Sequence, residues 1–176
     1  MGIDPGTNIM GYGLLSTDGK AMQLITLGVL KLGNYSDHAL KLRKIFDRTL
    51  GLVDEYKPDE LAIEAPFYGK NVQSMLKLGR AQGVAMSAAL YRDIPIFEYT
   101  PLQIKKSVTG NGSASKEQVS AMLQTLLHFD ELPDYLDATD GLAAAVCHFL
   151  KGGKSKSSKN YTGWKSFISD NPNRVK

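Results

Sequence analysis

Two apolar runs, residues 9–16 (Ile-Met-Gly-Tyr-Gly-Leu-Leu-Ser) and 22–32, flank the turn Asp18-Gly19. Runs of this length around a turn read as paired strands, and a sheet begun in this way needs apolar elements to cover its faces. The chain supplies them next. Leu42, Ile45, Phe46, Thr49, Leu50 and Val53 recur at helical spacing ahead of Pro58, which marks one apolar helix face and its stop. Leu61-Ala62-Ile63 forms a short buried strand ending at Glu64, followed by an Ala-rich helix over 71–92 and a strand over 94–99. A helix over 101–108 comes next, then one opened by Ser115, whose pairing with Gln118 is a capping box. A last helix covers 134–150. A very short apolar start, closed by the turn Asp4-Pro5-Gly6, makes the N-terminal part an antiparallel meander. The predicted class is α/β: a mixed five-stranded sheet flanked by helices.

A length of 176 residues with 43% hydrophobic content suits one domain with a substantial core. No run approaches the ~18 apolar residues of a membrane span, and the N-terminus lacks a secretory pattern. Cys147 is the only cysteine, which fits a reducing compartment and gives cytoplasmic localisation as the expectation. Charge is unevenly placed: residues 1–150 hold 14 basic and 17 acidic residues, whereas 151–176 hold seven basic residues against Asp170 alone. From Gly152 the composition turns to Gly, Ser and Lys. Residues 1–151 are therefore read as the folded domain and 152–176 as a basic, flexible tail, separable from catalysis and contributing to polyanion affinity most at low salt.

Four acids are placed where chemistry can gather. Asp4 closes the first strand and Glu64 closes an apolar one, so both leave strand ends. Asp137 and Asp140 stand three apart on one helix face, with Asp134 extending it. Ala138, Gly141, Ala143, Ala144 and Ala145 let that helix lie close to the sheet. Carboxylates ~4 Å apart repel by about 4 kcal/mol per pair at an effective dielectric near 20. Protons or hard cations relieve this. An all-oxygen ligand set with no Cys/His spacing for zinc favours Mg²⁺, Mn²⁺ or Ca²⁺, and two such ions ~3.5–4 Å apart suit hydrolysis of a phosphodiester.

The motifs Gly-Ile-Asp-Pro-Gly-Thr at 2–7, Gly-Tyr-Gly at 11–13, Ala-Ile-Glu at 62–64, Leu-Lys-Leu-Gly-Arg-Ala-Gln-Gly at 76–83 and Asp-Ala-Thr-Asp-Gly-Leu-Ala at 137–143 resemble, in order, the RuvC family of Holliday-junction resolvases. The resemblance spans residues 2 to about 149. It implies an RNase H-like fold, a homodimer, and an endonuclease making paired nicks in opposing strands of a four-way DNA junction, with 5′-phosphate products, in recombination and repair. Asp4, Glu64, Asp137 and Asp140 would be the catalytic metal ligands for two Mg²⁺ per site, with Mn²⁺ able to substitute. It further implies cooperation with the RuvA–RuvB branch-migration complex.

Phe67 and Tyr68, beside Lys70, fall in a loop after Glu64, where an exposed aromatic can stack on an unpaired base. Lys105 and Lys116 flank the Gly110-Asn111-Gly112 loop and suit phosphate oxygens. By the resemblance they lie near the scissile strand. His148 reads as a packed residue rather than a ligand, Cys147 as a small buried apolar residue, and His38 and His128 receive no role. Gly79, Gly83 and Ala85 make the 71–92 helix the candidate dimer interface. Two rivals stand beside this reading: an ATP-dependent phosphotransferase of the actin and sugar-kinase type, which shares the Asp-x-Gly-Thr turn, and a junction-binding protein that never cuts. Only Met1, Gly2 and Ile3 precede Asp4, where the family carries several apolar residues. Four or five further apolar residues before Gly2 are expected to raise the melting temperature and strengthen Mg²⁺ binding.

Overall fold

The computed structural model describes residues 1–66, 71–129 and 133–152. Strands β1 (Gly2–Asp4), β2 (Ile9–Thr17) and β3 (Met22–Lys31) are followed by helix α1 (His38–Tyr56), strand β4 (Leu61–Glu64), helix α2 (Val72–Leu90) and strand β5 (Ile96–Tyr99). Helices α3 (Pro101–Thr109), α4 (Lys116–Leu127) and α5 (Asp137–Leu150) complete the order. The sheet runs β3-β2-β1-β4-β5. Its first three strands pair antiparallel, and β1 with β4 and β4 with β5 pair parallel. The mixed five-stranded sheet and the meander both match the expectation.

Each face of the sheet has its own core. Ile3, Met10, Leu61 and Ile63 pack with Ile45 and Leu52 of α1 and with Ala81, Ala85 and Ala89 of α2. On the opposite face, Ala62 packs with Ile104, Val108, Leu123, Leu142 and Val146 from α3, α4 and α5. Fully burying an aliphatic side chain contributes about 1.5–3 kcal/mol, so these two layers carry most of the cohesion.

Strand alternation then settles where the acids point. Ile3 and Ile63 face the α1/α2 layer, so their neighbours Asp4 and Glu64 face α5. The register Gly2↔Ala62 and Ile3↔Ile63 sets the two acids side by side at the end of adjacent parallel strands.

Helix α5 approaches the sheet at backbone contact. A Cβ on Gly11 would lie 1.7 Å from the Asp137 carbonyl oxygen, and one on Gly2 would lie 2.2 Å from that of Gly141. A Cβ on Gly141 would meet the Gly11 and Tyr12 backbone at 2.6 Å. Glycine is required at this crossing because no side chain fits.

The helix starts later than its composition suggested. Leu136 is the N-cap and makes no side-chain cap bond, so Asp134 lies ahead of α5 rather than on its face. Elsewhere side chains cap as expected: Ser115 accepts from the Gln118 N–H in a complete capping box. Asp37 caps α1 through Ala39 and Leu40, which starts that helix before the first residue of its apolar stripe.

Candidate metal centre

Three of the four expected acids meet closely. Ligand oxygens of Asp4, Asp137 and Asp140 all lie within 4.8 Å of one another. Glu64 stands outside that trio but is electrostatically tied to it. Burial raises the Asp4 carboxyl well above the usual carboxylate range, and the charges of Glu64 and Asp140 add to this. Glu64 is pushed up to about 7, first by burial and then by Asp140. Burial likewise raises Asp140, against the hydrogen bond and charge of Lys116. Asp137 and Asp140 also sit in the first turn of α5, where the helix dipole favours negative charge. The residues that crowd the charges together and the helix end that tolerates them are thus the same element.

Lys116, the first residue of α4, is the cation among these acids. Its Nζ donates to Asp137 at 3.3 Å and to Asp140. Burial works against the ammonium, but the Asp140 hydrogen bond and the charges of Asp140 and Asp137 outweigh it and raise Lys116 above its usual range. Lys105 on α3 acts from further off, its charge opposing the upward shifts of Glu64 and Asp140. Lys116 thus contacts the acids directly, whereas Lys105 influences them only through its charge. Phe67, Tyr68 and Lys70 lie outside the described residues.

The donor set fits a hard divalent cation. Three carboxylates converge from two elements, Asp4 from β1 and Asp137 and Asp140 from α5, and every donor is oxygen. Burial first, and neighbouring carboxylates second, raise Asp4 and Glu64, and a cation would offset both. His148 is not part of the set. It sits at the other end of α5 with Nε2 2.7 Å from Glu60 Oε2 and Nδ1 2.7 Å from the Tyr99 hydroxyl, a packed residue as expected. Cys147 is fully buried, again as expected.

Two supports of the site carry no periodic signal in the sequence. Lys41 Nζ donates to the Thr7 carbonyl at 3.0 Å, holding the turn that follows Asp4. Gln82 of α2 donates to the Glu64 carbonyl at 3.3 Å.

Comparison with known proteins identifies the family. Residues 1–148 match the profile of the family described as crossover junction endodeoxyribonuclease RuvC. A protein of that name from Bacteroides fragilis is 62% identical over 178 residues, covering 100% of this chain and 95% of the relative. One from Christiangramia forsetii is 60% identical over 176 residues, covering 100% and 92%. Among solved structures, Thermus thermophilus RuvC in complex with a Holliday junction substrate superposes with a TM-score of 0.78 at 29% identity, covering 85% of this chain and 92% of that one. A yeast mitochondrial Holliday junction resolvase, 14% identical with a TM-score of 0.62 over 86% of this chain and 78% of its own, shares the fold. The architecture is RNase H-like, and the chain belongs to the RuvC family of crossover junction endodeoxyribonucleases.

Proposed function

We propose that Asp4, Glu64, Asp137 and Asp140 form the catalytic metal site of this endonuclease, and that its substrate is a four-way DNA junction. The chain is a nuclease that resolves such junctions in recombination and repair. The observation that carries the site is the convergence of Asp4, Asp137 and Asp140 within 4.8 Å at the ends of β1 and α5. The reaction is metal-dependent, and the oxygen donor set favours Mg²⁺, with Mn²⁺ as substitute and two ions per site. Divalent ions held there by these carboxylates would supply Lewis-acid activation of a water and charge stabilisation on the phosphodiester.

The side chains divide the remaining work. Asp4 and Glu64 hold one wall of the site from the sheet, and Asp137 and Asp140 hold the other from α5. Lys116 and Lys105 draw a phosphate oxygen towards the acids, and Phe67, Tyr68 and Lys70 contact the junction beside Glu64.

Paired nicks require two sites, so the chain works as a homodimer. Helix α2 supports this reading. Gly79 and Gly83 have open space before them, and Val72 and Leu76 are 64% and 51% exposed. Ala85, expected at this interface, is instead fully buried in the chain's own core, because it lies on the opposite face of α2. The tail from 152 supplies additional phosphate contacts, and its deletion leaves nicking intact while weakening DNA affinity most at low salt. The RuvA–RuvB motor is the proposed partner and the cytoplasm the proposed compartment. Among the described residues no helix is long and apolar enough to cross a membrane.

Neither rival is favoured. The relatives are crossover junction endodeoxyribonucleases, and all four acids expected of a cutting enzyme are present. A labelled synthetic four-way junction tests the proposal. Symmetric nicks with Mg²⁺ and none with EDTA are expected. Binding without nicks in Mg²⁺ and Mn²⁺ would leave only the non-cutting reading, and ATP hydrolysis without DNA would favour the phosphotransferase.

A further inference from the structure

Gln82 is the most buried amide side chain near the site, at 6% exposure, on a helix face otherwise lined by Ala81, Ala85, Ala88 and Ala89. A primary amide has two N–H donors, and both are used. Nε2 donates to Glu98 Oε2 at 2.9 Å and to the Glu64 main-chain oxygen at 3.3 Å.

The sheet explains why that carbonyl needs an outside donor. In the parallel β1–β4 ladder, Gly2 faces Ala62, and the Ala62 N–H donates to the Met1 carbonyl at 2.8 Å. In this slanted pattern the carbonyl of a β4 residue accepts from the residue one beyond its β1 partner. Two residues on, Glu64 falls opposite Asp4, and the donor position falls on Pro5. Proline has no N–H. The ladder that places Asp4 beside Glu64 therefore stops one bond short, at the peptide that carries the Glu64 side chain.

We propose that Gln82 is a positioning residue for Glu64: its amide replaces the bond that Pro5 cannot make and fixes the peptide from which the carboxylate projects. The carboxylate faces α5 while the carbonyl is held from the α2 side. Glu98 serves as the anchor that orients the amide. The proposal rests on the reading of Glu64 as a metal ligand. Gln82 bonds to the Glu64 main chain and to Glu98, and it acts through Glu64 alone.

Mg²⁺ titration calorimetry of the full chain without DNA, read beside thermal melting and single-turnover nicking, tests this. Gln82→Met keeps the volume and removes the donors. Its Mg²⁺ affinity and nicking rate are expected to fall about tenfold or more, with junction affinity in EDTA unchanged. Glu98→Gln retains the donation to Glu64 and is expected to bind Mg²⁺ within about twofold of the parent. The double exchange Gln82→Glu with Glu98→Gln rebuilds the link between α2 and β5 but leaves nothing at position 82 to donate to Glu64. Its melting temperature should recover relative to Gln82→Met while its Mg²⁺ affinity stays low. Recovery of both together, or parental Mg²⁺ affinity in Gln82→Met, would overturn the proposal and leave Gln82 a packing residue. Glu64→Gln separates the two layers of inference: if it binds Mg²⁺ as the parent does, the ligand reading fails and this proposal with it. Weak binding by Glu64→Gln beside normal binding by Gln82→Met would sink the positioning role alone.

Discussion

At the C-terminal end of α5, His148 is held between Glu60 and Tyr99 by two 2.7 Å hydrogen bonds and stacks on Phe97 with ring centroids 4.5 Å apart. At the N-terminal end, about 12–17 Å away along the same helix, Asp137 and Asp140 are driven against Asp4 with Lys116 as the cation among them. One end satisfies its polar groups and anchors the helix. The other gathers acids, and burial first, then neighbouring carboxylates, raises Asp4 and Asp140. Isolated acids of this kind would weaken a fold, so the N-terminal end is explained by what it binds and the C-terminal end by what it holds together. The glycine crossing at Gly2, Gly11 and Gly141 joins the two, because it lets the anchored helix press its acidic end onto β1.

The comparison breaks most visibly at the acids. Asp137→Asn, Asp140→Asn or Glu64→Gln should each lower junction nicking by about a thousandfold or more, since a lost ligand removes several kcal/mol of transition-state stabilisation. Junction affinity in EDTA should stay near that of the parent. A single-turnover nicking assay with a gel-shift control checks this, and a variant cutting at near-parental rate would remove its residue from the site.

The crossing comes next in size. Gly11→Ala puts a methyl group 1.7 Å from the Asp137 carbonyl oxygen, so helix or strand must move. A loss of about 3 kcal/mol or more is expected, a fall of roughly 6–12 °C in a chain of this length. Thermal melting reads it directly, and an unchanged transition would mean that α5 does not lie at backbone contact with β2.

The smallest effect belongs to the anchored end. His148→Ala leaves Glu60 and Tyr99 without their shared partner and should lower stability by about 1–3 kcal/mol. Nicking per folded molecule should hold, because no acid loses a neighbour. Loss of nicking well below the melting transition would show that the two ends are not separable.

How far these features could be read in advance followed the range of the physics involved. The α4 start was legible because Ser115 and Gln118 satisfy each other within four residues. The α5 start was not, since Leu136 caps without a side chain and the extra acid Asp134 looked like part of the helix. Asp4 and Glu64 were legible as strand ends. That they point to the same face needed the β1–β4 register, which links positions some sixty residues apart. The small residues of α5 announced close packing, whereas their partners Gly2 and Gly11 acquire meaning only once the helix lies on them. The role of Gln82 was not legible, because the missing donor at Pro5 exists only in the folded ladder.

Metal-free melting against pH, with and without Mg²⁺, for the parent and Asp4→Asn, addresses the central claim that this cluster is strained for the sake of a cation. Glu64 titrates near 4.5 when unfolded and is raised to about 7 in the fold, and Asp4 is raised in the same direction. The folded chain thus binds these protons more tightly, so the contribution of these groups to stability is fully present below about pH 4.5 and is lost as pH rises towards 7. Mg²⁺ should restore the lost stability over the same window, since it binds the deprotonated acids. The account predicts that Asp4→Asn melts higher than the parent at neutral pH without metal and gains nothing from Mg²⁺. An Asp4→Asn protein that melts lower than the parent without metal, or that keeps the full Mg²⁺-dependent rise, would contradict it.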